Sequence, residues 1–155
     1  MDPFDSRAAR LVALDSLARR DHAAGELHSK LRDKGYDLSV VESVIKRLIA
    51  DKLVDDHRYV ETFIGFHAAR GQGPQRMRAD LHTLALQREL VEDCLAAYGD
   101  WMLHLQKARQ KKFGAQLPTL YADKQRQARF LAYRGYTSAQ IRMALGFDTD
   151  VDVES

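Results

Sequence analysis

The segment Leu31-Arg32-Asp33-Lys34-Gly35-Tyr36-Asp37-Leu38-Ser39-Val40-Val41-Glu42-Ser43-Val44-Ile45 returns 100 residues later. There it reads Leu131-Ala132-Tyr133-Arg134-Gly135-Tyr136-Thr137-Ser138-Ala139-Gln140-Ile141-Arg142-Met143-Ala144-Leu145. Halfway between, Leu81, Ala85, Leu86, Val91 and Leu95 occupy the same phase, so the period is 50. A short period in three copies is the mark of a small unit stacked in tandem, each copy burying the face its neighbour leaves open. Arrays of this kind offer an extended surface to another macromolecule rather than a deep catalytic pocket.

Working outward from the echo, each copy reads as three helices. In the first unit, helices are predicted over about 6–20 and 23–34, the second stopping at Gly35, where positive φ is tolerated. Asp37 then caps a helix whose Val40, Val41, Val44, Ile45, Leu48 and Ile49 keep amphipathic spacing. The second unit opens on the capping pair Asp55-Asp56, with a helix over Arg58–Arg70. It turns at Gly71-Gln72-Gly73-Pro74, and proline suits a first helical position because no N–H is needed there. Helices follow near 74–85 and 87–98. The third unit holds a helix from Trp101 to Phe113, a linker 114–119 around Pro118, a helix near 120–134, and a last one from the Thr137/Gln140 capping box to Gly146. No segment alternates as a strand would. The expected fold is all-α: three tandem three-helix repeats forming an elongated, curved array. Its units span 1–54, 55–99 and 100–147, ahead of an acidic flexible tail over 148–155. The linker 114–119 is expected to allow bending between units.

Composition narrows the function. With 45% hydrophobic and 30% charged residues, the chain suits a soluble folded protein. No apolar run reaches the roughly 18–20 residues of a membrane span, and the N-terminus lacks the pattern of a secretory signal. Cys94, the single cysteine, excludes an internal disulfide, fits a cytoplasmic setting, and is expected to be a small buried hydrophobe. His22, His28, His57, His67, His82 and His104 never pair at the i, i+4 spacing of a helical zinc motif. The neighbouring carboxylates of Asp55-Asp56 and Glu92-Asp93 point about 100° apart on a helix and do not converge as a catalytic dyad. Gly71-Gln72-Gly73 lacks the lysine and the preceding strand of a phosphate-binding loop. The expectation is a non-enzyme with no cofactor and no metal, working as a monomer.

Charge is distributed unevenly. Residues 1–55 carry ten basic and ten acidic side chains, whereas between 101 and 147 nine Lys/Arg face only Asp123. A basic block on a neutral body points to a polyanion or an acidic protein groove. Arg70, Arg76 and Arg78 are placed around one helix–turn–helix corner. Lys107, Lys111 and Lys112 share a helix face, and Arg126 and Arg129 extend the basic character one helix later. These eight are the candidate binding residues for a partner protein or for DNA, and Arg134 continues the basic theme beside Arg126 and Arg129. Tyr59, Phe63 and Phe66, at helical spacing, are expected in the core; Tyr36 and Tyr136 are expected to pack back on the helices they follow.

The stretch Asp55-Asp56-His57-Arg58-Tyr59-Val60-Glu61-Thr62-Phe63, followed by Arg70-Gly71-Gln72-Gly73-Pro74-Gln75-Arg76-Met77-Arg78, resembles the central signature of the RecX regulatory proteins. Arg129-Phe130-Leu131-Ala132-Tyr133-Arg134-Gly135-Tyr136 with Ile141 resembles that family's last repeat, and Lys34-Gly35-Tyr36 its first. The likeness covers about residues 7–147. It departs at Leu84-Ala85-Leu86, where the pattern commonly has Lys-Gly and an apolar residue. The resemblance implies a bacterial cytoplasmic regulator that binds the RecA recombinase on single-stranded DNA and lies in the filament groove. There it would reduce ATP hydrolysis, strand exchange and coprotease function, and so modulate homologous recombination, DNA repair and the SOS response. The competing reading is a stand-alone helix-turn-helix-like DNA-binding module with Tyr36-Asp37-Leu38-Ser39 leading its recognition helix, although Asp37 and Glu42 are poor partners for a DNA groove. A plain helical scaffold for some other acidic protein is the third.

Overall fold

The computed structural model describes residues 1–146, so the acidic tail 148–155 lies outside the described residues. These residues form nine α-helices in chain order: α1 Ser6–Arg19, α2 Ala24–Asp33, α3 Leu38–Ala50, α4 Asp56–Ala69, α5 Pro74–Leu81, α6 Arg88–Ala97, α7 Trp101–Phe113, α8 Tyr121–Tyr133 and α9 Ser138–Leu145. No strand occurs among them. Their buried side chains separate into three clusters, one for each helix triplet.

The echo is the skeleton of those clusters. Leu31, Leu81 and Leu131 are each fully buried, and so are Val41 and Ile141. Each such leucine is worth about 1.5–3 kcal/mol when withdrawn from water. Behind Leu31 and Leu131 the chain turns by the same device. Gly35 and Gly135 take φ of +102° and +99°. Tyr36 N–H then donates to the Leu31 carbonyl at 3.2 Å, and Tyr136 N–H to that of Leu131 at 3.1 Å. This is the Schellman end, which satisfies carbonyls left without intrahelical partners and folds the following tyrosine onto the helix. Both tyrosines are buried as expected.

The middle copy departs where glycine is missing. The helix predicted to reach residue 85 stops at Leu81 and tightens into a 3₁₀ turn, His82–Leu84. Ala85 then adopts the left-handed conformation at φ +54°. An alanine Cβ costs about 1–2 kcal/mol there, so the turn is made against local preference.

Adjacent triplets are joined through backbone groups, by a side-chain cap at the first junction and by backbone alone at the second. Ala23, ahead of α2, has no side-chain oxygen with which to cap, and Asp56 Oδ1 accepts from Ala24 N–H at 2.8 Å instead. Asp55 caps its own helix by accepting from Arg58 N–H. Of the two acidic residues expected to start α4, one therefore serves the preceding triplet. Between the second and third triplets, Gly73 N–H donates to the Arg134 carbonyl at 2.8 Å and Gln75 N–H to the Gly135 carbonyl at 2.9 Å. A Cβ on Gly73 would stand 2.3 Å from Gly135 C and Tyr136 N. Gly71 ends α4 with φ +80°, whereas Gly73 is needed because two backbones meet there.

Linker 114–119 lies inside the third triplet, between α7 and α8, and is not a joint between units. It is also pinned. Arg109, 1% exposed, donates to the carbonyls of Gly114, Ala115 and Gln116 at 3.2–3.4 Å and to Gln106 Oε1 at 2.7 Å.

Candidate functional site

Gly73 and Gly135, by letting the second and third triplets touch, bring the end of α4 against α7 and the end of α8. A half-open cleft of about 600 Å³ results. Arg70 contributes from the α4 end, Lys107, Lys111 and Lys112 from α7, and Arg134 from the α8 end. Ala69, Gly71, His104, Ala108 and Phe130 make up the remaining wall, and no carboxylate lines it. Residues 107 and 111 are one turn apart, about 6 Å along the axis, so their ammonium groups share a face.

Three of the five cations are braced before any ligand arrives. Lys112 Nζ stands 4.8 Å and the Arg134 guanidinium 5.1 Å from the Phe130 ring centre. Arg134 also donates to the Arg70 carbonyl at 3.4 Å, and the Arg70 guanidinium lies 4.7 Å from the Phe66 ring. Cation–π contacts of this kind contribute about 0.5–1 kcal/mol at exposed sites. Their larger effect here is to limit where the charges can go.

Of the eight candidate residues, four meet in this cleft: Arg70, Lys107, Lys111 and Lys112. The arginine corner expected from Arg70, Arg76 and Arg78 is not one cluster. Arg76 leans over Tyr133, 5.7 Å from its ring centre. Arg78 is clamped by Glu92 through bonds of 2.6 and 3.0 Å and also donates to Gln75, which occupies its fork. The same clamp holds the Glu92 carboxyl below its ordinary range. Arg126 sits 5.3 Å from the Phe113 ring and 3.9 Å from Asp123, and Arg129 is exposed on α8.

Three residues do something their local sequence does not show. Phe66, expected in the core, is 56% exposed and forms the ledge under Arg70; Tyr59 and Phe63 do pack on the middle cluster. Its position one turn before Arg70 was the available clue. Arg134 joins the cleft only because Gly135 touches Gly73. Arg109 was counted in the basic block, yet it faces inward, and burial pulls its guanidinium below the ordinary value. Cys94 is buried as expected, and burial pushes its thiol up, leaving it protonated. Among the described residues no group of three or more His, Cys, Asp or Glu could hold a metal, and no helix is long and apolar enough to cross a membrane.

Residues 9–48 match the family model of the first three-helix domain of RecX, and residues 104–145 that of its third. The chain is 42% identical over 130 residues to the regulatory protein RecX of Pseudomonas syringae pv. tomato, covering 83% of this chain and 84% of that one. It is 36% identical over 140 residues to that of Halorhodospira halophila, covering 90% and 87%. The crystal structure of RecX from Lactobacillus salivarius shares the fold at a TM-score of 0.78 and 20% identity, over 92% of this chain and 95% of that one.

Proposed function

The chain belongs to the RecX family of regulatory proteins, and on that premise we propose that it restrains the RecA recombinase. It binds the filament that RecA forms on single-stranded DNA, acting as a monomer in the cytoplasm. By doing so it lowers ATP hydrolysis, strand exchange and coprotease activity, and hence recombination, repair and the SOS response. The observation that supports this most is the carboxylate-free cleft in which Arg70, Lys107, Lys111 and Lys112 converge. A nucleoprotein filament is a polyanion, and a one-signed concave surface on a neutral body is steered towards it. Arg76, Arg126 and Arg129 continue the contact outside the cleft. Arg78, already neutralised by Glu92, serves the fold of the middle triplet more than the partner.

The stand-alone DNA-binding reading has less behind it. The Asp37 carboxylate caps α3 by accepting from Ser39 N–H at 3.0 Å, and Glu42 is exposed on the same helix. Arg47, further along, is paired with Asp51 at 3.3 Å. Sedimentation of preassembled RecA–single-stranded DNA filaments tests the proposal. The chain is expected in the pellet, with less of it when Lys107 and Lys111 are both changed to Gln. A chain that stays in the supernatant at every salt concentration refutes it.

A further inference from the structure

We infer that the cleft between α4, α7 and α8 is a binding site for a compact polyphosphate, such as the triphosphate of a nucleotide. The first reason is charge density. A sphere of about 600 Å³ is only about 10 Å across, close to one Debye length at physiological salt. The five cations of this slot therefore repel one another across about one Debye length or less, where screening is only partial, and no carboxylate lies among them to relieve the repulsion. An anion of several charges that fits inside such a slot removes that cost.

The second reason is geometry. Lys107 and Lys111 offer point charges about 6 Å apart along one wall. Arg70 and Arg134, tied to one another by the 3.4 Å bond, offer planar forks that match phosphate oxygens two at a time. Contacts with Phe66 and Phe130 keep three of these heads near the slot before the ligand arrives, which reduces the ordering cost of binding. The volume falls within the range of small-ligand pockets.

Compactness separates this ligand from its rivals. Successive phosphates of a strand are divided by a sugar and carry one charge each, so a 10 Å slot meets about three of them at most. Carboxylates of an acidic peptide are similarly dispersed. A triphosphate carries roughly four charges within the same length, close to what five cations require. The regulatory consequence rests on the RecA reading above: the ligand would occupy the residues assigned to the filament, so the two would exclude one another. The site itself does not depend on that reading.

The test is calorimetric titration of the full chain with inorganic tripolyphosphate. Saturable one-to-one binding is expected, weakened by roughly tenfold or more when Lys107 and Lys111 both become Gln. An Arg47→Gln variant, altered on the exposed side of α3, should bind as the parent does. All three positions are exposed, and matching melting curves will show that the variants fold. Absence of saturable binding overturns the inference. So does binding of oligothymidylate that tripolyphosphate fails to displace, because the cleft would then be a track for a strand. Filament sedimentation run alongside keeps the two ideas apart. Sedimentation without tripolyphosphate binding overturns this inference alone, and tripolyphosphate binding without sedimentation overturns the RecA reading alone.

Discussion

Replacing Gly73 with Ala should unfasten the second triplet from the third. The added Cβ would stand 2.3 Å from Gly135 C and Tyr136 N and 2.5 Å from the Gly135 carbonyl oxygen. All three are backbone atoms, so no side chain can swing aside. The contact must open, and with it go the bonds from Gly73 N–H to Arg134 and from Gln75 N–H to Gly135. Each is worth about 1 kcal/mol net, and more where the freed groups stay dry, so the expected loss is about 2–4 kcal/mol. For a chain of this size that corresponds to a fall in Tm of roughly 5–15 °C. Opening also parts Arg70 from Arg134, so ligand or filament binding through the cleft should weaken. The assay is thermal unfolding of the full chain beside Gly65→Ala, where a Cβ meets nothing within 4 Å in the middle of α4. That control should gain about 0.5–1 kcal/mol. If Gly73→Ala proves as harmless as Gly65→Ala, the backbone junction is not what holds these triplets together.

Ala85→Gly should stabilise the chain by about 1 kcal/mol in chemical denaturation, since it relieves a left-handed alanine; a loss of stability would contradict this. Gly25→Ala should do the reverse, because its Cβ would lie 2.8 Å from Ala85 Cβ and from the Leu84 carbonyl oxygen. Arg109→Met should leave the fold intact but free the carbonyls of 114–116, so limited proteolysis should cut the 114–119 loop faster than in the parent; unchanged cleavage would show that the guanidinium does not hold the loop. Tyr136→Phe should be neutral or stabilising by about 1 kcal/mol at neutral pH, because the buried hydroxyl has no hydrogen-bond partner. Burial pushes that hydroxyl up to about 12. The unfolded chain therefore releases its proton first, near pH 10, and folded stability should fall by about 1.4 kcal/mol per pH unit between roughly 10 and 12. The Phe variant should lose this part of the slope, and an equal slope in both proteins would refute the assignment.

The echo was readable because it is local physics repeated three times. Leucine, then a residue able to take positive φ, then an apolar residue that folds back, can be recognised within six positions. The Thr137/Gln140 capping box and the Asp37 and Asp55 caps were readable for the same reason. What escaped depends on contacts made far along the chain. Nothing near Gly73 reveals that Gly135 touches it, so from the sequence its glycine reads only as part of the turn before Pro74. Arg70 and Arg78 are separated by eight residues, yet Glu92 on α6 claims one and leaves the other in the cleft. Arg109 carries the same letter as its exposed neighbours, and only the carbonyls of the following loop turn it inward. Ala85 shows the reverse case: the local sequence lacks the glycine, and the left-handed turn forms nonetheless, after a 3₁₀ step.

The most direct test of the central claim is the single-stranded-DNA-dependent ATPase of RecA, measured as this chain is added from substoichiometric to equimolar amounts. The account predicts progressive inhibition that begins well below one chain per RecA and is relieved when Lys107 and Lys111 are both changed to Gln. ATP hydrolysis left unchanged at equimolar protein would contradict it.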